Sequence, residues 1–220
     1  FFYPYWLNTL IAWYNKFKYM NRKNIIGIPI KNLENPMSRL AKTLDKKQRI
    51  ALQIGLIRNI VECFKDNGND IFLISNDLEI KKLANQLKIN YYNTNSSGLN
   101  KEVIEFSNNF KNYKGWIICH SDLPYVTKFF AKTISQEMQD SDILIAKSKD
   151  TGTPFMAGSV NFSDFKFGVN SFKKHTKFLM ENNYEYKQIY STEFTYELDD
   201  ESDYQNFLLN QPRWFKKLKI

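Results

Sequence analysis

The stretch WIICHSDLP, residues 116–124, decides how this chain is read. Trp116 to Cys119 form an unbroken apolar run that fits a strand buried on both faces, and Asp122 stands just past its exit, turned by Pro124. An acid placed directly after a buried run costs free energy unless it caps a helix or holds a metal ion. Both readings stay open on these residues alone.

Working outward, strand-like and helix-like stretches alternate. Toward the N-terminus, IIGIPI (25–30) and IFLIS (71–75) read as strands and INYY (89–92) as a third. Between them, Leu44 to Phe64 carries apolar residues at amphipathic-helix spacing, with Asp45 as N-cap and Gly68 as stop. Leu78–Leu87 and Asn100–Phe110 predict two further helices. Beyond the acidic turn come a helix near Thr127–Gln139 and a strand at DILIAK (142–147). The βαβα order predicts an α/β, three-layer αβα domain with a mostly parallel central sheet and ligands at the carboxyl ends of its strands.

The loops at those ends hold the candidate chemistry. IPIKNLENPMSRL (28–40) delivers Lys31, Ser38 and Arg39, two cations and a hydroxyl that suit a triphosphate or, equally, a solvated rim; the GxxxxGK[ST] string of a P-loop is absent. SSGLN (96–100) places Ser97, Gly98 and Asn100 at a helix start that favours an anion or a base edge. DTGTPFMAG (150–158) and FGVNSFKKH (167–175) read as glycine- and hydroxyl-rich loops in which Thr153, Gly168 and Ser171 offer donors to a phosphate or carboxylate. TYELDDESDY (195–204) reads as a strand that puts Glu197 and Asp199 on one face, running into a C-terminal helix. His120 and His175 are read as structural, because two separated histidines with no Cys partner make no zinc site.

Composition narrows the classes. In 220 residues, 43% are hydrophobic and 16% aromatic, enough to bury a core and too ordered for a disordered or collagen-like chain. The formal charge of +8 rests on lysine; Arg22, Arg39, Arg49, Arg58 and Arg213 are the only arginines, so a nucleic-acid partner is not expected. Cys63 and Cys119, each inside an apolar run, suggest reduced thiols and a cytoplasmic location. Residues 1–19, FFYPYWLNTLIAWYNKFKY, form an aromatic extension interrupted by Pro4, Asn8 and Asn15, too broken for a spanning helix; they are expected to lie outside a fold made of residues 20–220. A basic peripheral membrane protein using that extension is the non-enzymatic alternative.

Taken in order, IPIK with SRL, Ser75-x-Asp77, SGLN, SDLP, DTGT, FGVNSFKKH and the late acidic LD resemble the 2-phospho-L-lactate guanylyltransferases of coenzyme F420 biosynthesis. The match spans residues 25–207. The resemblance implies a Rossmann-like GT-A or nucleotide-diphospho-sugar transferase-like fold, related to the molybdenum-cofactor guanylyltransferases. It implies transfer of GMP from GTP to 2-phospho-L-lactate, phosphoenolpyruvate or 3-phosphoglycerate, with pyrophosphate released. Asp122, Glu197 and Asp199 would hold one or two Mg²⁺, Lys31 and Arg39 with Ser38 the triphosphate, and Ser97, Gly98 and Asn100 the base. Thr153, Gly168 and Ser171 would seat the acceptor. Only small-molecule partners are implied, for a monomer or homodimer, and a molybdopterin or sugar-phosphate acceptor is the enzymatic alternative. This chain departs from the family at Met37, Pro154 and Glu197, the last replacing an aspartate.

Overall fold

Why the centre of this molecule is a sheet follows from three apolar runs with no polar face: IIGIP, DIFLIS and GWIIC. A strand with apolar side chains on both sides must be covered on both sides. A computed structural model of the protein, describing residues 23–218 apart from 67 and 111, shows that solution. The strands β1 (Asn24–Pro29), β2 (Asp70–Ser75), β3 (Asn90–Asn93), β4 (Gly115–Cys119), β5 (Ile143–Ala146), β6 (Phe155–Gly158) and β7 (Tyr186–Ile189) form one sheet in the order β3-β2-β1-β4-β6-β5-β7. Only β6 runs against its neighbours.

Helices α1 (Lys46–Lys65), α2 (Leu78–Leu87), α3 (Leu99–Asn109), α4 (Lys128–Glu137) and α5 (Ser171–Glu181) complete the three layers. Ile57, Ile60 and Phe64 of α1 pack with Ala131 and Ile134 of α4 over one face. Val103 and Phe106 of α3 pack with Trp116 and Leu179 over the other. Asp45 caps α1 as expected and completes a capping box with Gln48. After β7 come a single turn, α6 (Thr192–Thr195), and the helix α7 (Glu201–Leu209), whose Tyr204 and Phe207 join Leu40, Leu52 and Leu198 in a third cluster.

Three readings are corrected. Residues 155–158 are not loop but the buried antiparallel strand β6, pairing Ile117 with Ala157 and Ile118 with Met156; four residues between a proline and a glycine carry too little pattern to announce a strand. Residues 195–199 are not a strand: one helical turn ends at Thr195 and the acids follow in extended chain outside the sheet. The edge strand β7, YKQI, was not anticipated, because its polar pattern resembles a surface loop. The expected extension at residues 1–19 lies outside the described residues. Among the described residues no helix is long and apolar enough to cross a membrane.

What this architecture does for a site is set by strand order. Chain leaves β1 toward β2 on one side, while β4 lies on the other, so the loops after β1 and β4 diverge and open a crevice at their carboxyl ends.

Candidate active site

The β1 exit is pinned largely through its backbone, which leaves the Lys31 side chain exposed. The Ser75 hydroxyl donates to the Lys31 carbonyl at 3.4 Å, and Asp77 accepts from Leu33 N–H at 2.9 Å while capping α2. Buried Arg49 holds the next turn through Asn35 Oδ1 at 2.7 Å and the Pro36 carbonyl at 2.8 Å. Lys31 is exposed and makes no ion pair among the described residues. Across the crevice, Gly98 takes φ +98° to start α3, a left-handed value that a side chain would strain. The loop before it is organised by Glu105, a residue the sequence did not single out. Hydrogen bonds from Ser96, Asn95 and Thr94 hold its carboxyl at about 2. Lys31, Ser97, Gly98, His120 and Asp122 line one cleft of about 610 Å³.

The acidic floor assembles across a long stretch of chain. Gln53 donates to Ser121 O and Oγ at 3.2 and 3.1 Å, setting the turn after β4. Leu198 N–H donates to the Asp122 carbonyl at 2.9 Å and its side chain is buried, so the flanking acids Glu197 and Asp199 point the other way. The period-two expectation therefore holds in extended chain without a strand. Glu197 and Asp199 line a neighbouring pocket of about 430 Å³ together with Arg39 and Asp150. Arg39 is paired with Asp199, their side chains 68% and 46% exposed, and it lines this pocket whereas Lys31 lines the other. Ser38 is exposed beside it.

His120, read as structural, lies in this cluster. Its Nδ1 is 3.3 Å from Glu197 Oε1, and both side chains are only 17% exposed. One donor atom from each of His120, Asp122 and Glu197 falls within 4.8 Å of the others. Burial pushes the Asp122 carboxyl up to about 7, with Glu197 and Asp199 adding repulsion against the relief given by His120. Burial also raises Asp199, opposed by Arg39. For His120, burial disfavours the cation, but Glu197 and Asp122 together hold its pKa above the ordinary value. Asp122 Oδ1 is buried without a hydrogen-bond partner among the described residues. Crowded carboxylates with an orphaned oxygen fit a hard divalent cation such as Mg²⁺, which takes oxygen donors.

The expected acceptor residues are placed differently. Thr153 and Ser171 are each 1% exposed, and their hydroxyls are spent on one another at 3.2 Å and on His175 Nδ1 at 3.0 Å. His175 Nε2 accepts from Lys166 N–H at 2.7 Å, so Nδ1 carries the proton, and burial keeps the ring neutral by pushing its pKa down to about 4. Of that trio only Gly168, at φ +113° and with open space beside it, faces solvent at the start of α5. Asn100 does not face the cleft either, since its amide clamps Phe167 through both main-chain groups at 3.1 and 2.6 Å. A larger groove of about 1010 Å³ lies behind the turn, between Pro124–Lys128 and Trp214, with no carboxylate cluster in it.

Known proteins match both the chain and the shape. A putative nucleotide-diphospho-sugar transferase from Desulfovibrio desulfuricans superposes with a TM-score of 0.73 at 13% identity, covering 89% of this chain and 91% of that one. A nucleotidyl transferase from Methanothermobacter gives 0.62 at 11% identity over 90% and 100%. In sequence, a 2-phospho-L-lactate guanylyltransferase of a Methanocaldococcus species is 28% identical over 161 residues, 72% of this chain and 70% of that protein. A phosphoenolpyruvate guanylyltransferase from Thermobaculum terrenum is 25% identical over 161 residues, 70% of each. The profile described as guanylyl transferase CofC like matches residues 24–213, nearly the whole described fold. With the strand-exit loops, the acidic floor and this match in agreement, the chain belongs to the CofC-like guanylyl transferase family.

Proposed function

We propose that this protein joins GMP from GTP to a phosphorylated three-carbon acid, releasing pyrophosphate, as a cytoplasmic step of coenzyme F420 biosynthesis. Relatives named for 2-phospho-L-lactate and for phosphoenolpyruvate support that acceptor class, to which 3-phosphoglycerate also belongs. The observation that carries the reading is the buried, unpartnered Asp122 Oδ1 at the meeting point of a cation-bearing cleft and an acidic pocket.

In the proposed reaction an acceptor phosphate oxygen forms a bond to the α-phosphorus of GTP, and the bond from that phosphorus to the bridging oxygen of pyrophosphate breaks. No protein nucleophile is needed. Asp122, Glu197 and Asp199 would hold one or two Mg²⁺, which supply charge neutralisation at the reacting phosphates. Lys31, without an ion pair among the described residues, meets the triphosphate as a point charge, and the start of α3 at Ser97 and Gly98 faces the same cleft. Arg39 reaches the departing pyrophosphate by leaving its exposed pair with Asp199, a contact worth about 1 kcal/mol or less. Gly168 and the open start of α5 receive the acceptor's anionic groups, with Thr153 and Ser171 supporting that loop from behind. Incubation with GTP, Mg²⁺ and each acceptor in turn, reading pyrophosphate, tests this. Release with one acid and GTP, and not with ATP or CTP, is expected; no release with any of the acids would overturn it.

A further inference from the structure

The metal-holding cluster of this chain contains a group that does not belong to an all-oxygen site. His120 Nδ1 faces the carboxylates, 3.3 Å from Glu197 Oε1, and the three donors of His120, Asp122 and Glu197 lie within 4.8 Å of one another. Ligand bonds of about 2.1 Å put opposite donors about 4.2 Å apart, so the three need to draw in by no more than about 0.6 Å to share one ion. The ring is held in place by Phe167, whose centroid is 5.1 Å away. Nε2 is buried and has no hydrogen-bond partner among the described residues, so the polar contact of the ring is made at Nδ1, on the side of the carboxylates. With its other nitrogen turned away from the carboxylates, Nδ1 is the ring atom placed to donate to an ion held there.

Resting on the metal-site reading above, we propose that His120 is a metal ligand, giving the centre a mixed nitrogen–oxygen donor set that selects a first-row transition ion such as Mn²⁺ over Mg²⁺. The physical ground is donor softness. Imidazole adds little to the binding of Mg²⁺, which prefers oxygen and dehydrates reluctantly, and adds substantially to ions of the transition series.

The probe is Mn²⁺ itself, added to the full chain and followed by electron paramagnetic resonance, with Mg²⁺ affinity obtained by competition. Bound Mn²⁺ should show electron spin-echo modulation from a directly coordinated ¹⁴N. In His120→Phe, which keeps a ring against Phe167, that modulation should vanish. Mn²⁺ affinity should fall at least about tenfold while Mg²⁺ affinity moves less than about threefold. A parent protein that binds Mn²⁺ with no nitrogen coupling overturns the inference. So does an equal loss of both ions in His120→Phe, which would mean that the ring only positions Glu197. Neither result touches the transfer reaction, which pyrophosphate release in Mg²⁺ tests separately; failure to bind Mn²⁺ at all would overturn the metal reading and this inference together.

Discussion

Two polar clusters meet at Phe167, whose ring lies 5.1 Å from that of His120 and 5.3 Å from that of His175. They are built from similar side chains and are finished in opposite ways. Around His175, Thr153, Ser171 and Lys166 N–H satisfy both ring nitrogens, and the cluster closes on itself. Around His120, Nε2 and Asp122 Oδ1 are buried and have no partners among the described residues. A folded chain leaves a buried polar atom unpaired at a cost of about 1–3 kcal/mol, so the open cluster is where a ligand belongs and the closed one is scaffold.

The sharpest way to break this contrast is Asp122→Asn. Size is kept and a ligand charge is lost, so pyrophosphate release should fall at least about a hundredfold. Stability should move the other way. Because burial and the neighbouring acids push Asp122 up to about 7, its charge is unwelcome in the fold, and the variant should melt no lower than the parent at pH 8. A large drop in melting temperature would make Asp122 scaffold.

His175→Ala should reverse that pattern. It leaves Lys166 N–H without its acceptor, takes one of the two partners of Thr153 Oγ1 and opens a cavity, costing about 2–4 kcal/mol. For a chain of this size that lowers the melting temperature by roughly 4–16 °C. A shift inside 2 °C, near the limit of such a measurement, would show that the network is dispensable.

The two clusters also oppose each other in pH, with chelator present. His175 is held near 4, so below an unfolded value of about 6.5 the unfolded chain gains a proton that the fold refuses; its stabilisation is present above that range and lost as pH falls. Asp122 is raised to about 7, so the fold retains a proton that the unfolded chain releases above about 3.9, and its contribution declines as pH climbs toward 7. Between pH 5 and 6.5 stability should therefore rise more steeply with pH in Asp122→Asn than in the parent, and less steeply in His175→Ala. Superimposable profiles would contradict both assignments.

This contrast also explains what was legible in the sequence. The central strands and α1 announce themselves because apolar runs and an N-cap aspartate are local patterns. So does Asp122, an acid stranded after a buried run. The pairing of hydroxyls is not local. Thr153 and Ser171 read as donors to a ligand because nothing in DTGT or FGVNS says that His175 will take them up. His120 read as structural for the same reason, since Glu197 is 77 positions away in the chain. Strands β6 and β7 were missed because one is too short and the other too polar to show a period.

The smallest effect expected concerns Arg39, at the edge of the open cluster. Its pair with Asp199 is exposed, so Arg39→Ala should leave the melting temperature within about 2 °C. Use of GTP at subsaturating concentration should nonetheless drop about tenfold, the worth of one cation–phosphate contact. Arg39→Lys should recover part of that, because charge is kept while the planar fork is lost. Two explanations of the loss can be separated by pH. Burial raises Asp199 and Arg39 pulls it back down, so removing the guanidinium raises Asp199 further. If Arg39 acted only by keeping Asp199 ionised, the defect would disappear as pH rises and the carboxyl loses its proton without help. If the guanidinium touches a phosphate, the defect persists at pH 8.5 as at pH 7. The persistent defect is the expected outcome, and its disappearance would move Arg39 from the substrate to the acidic floor.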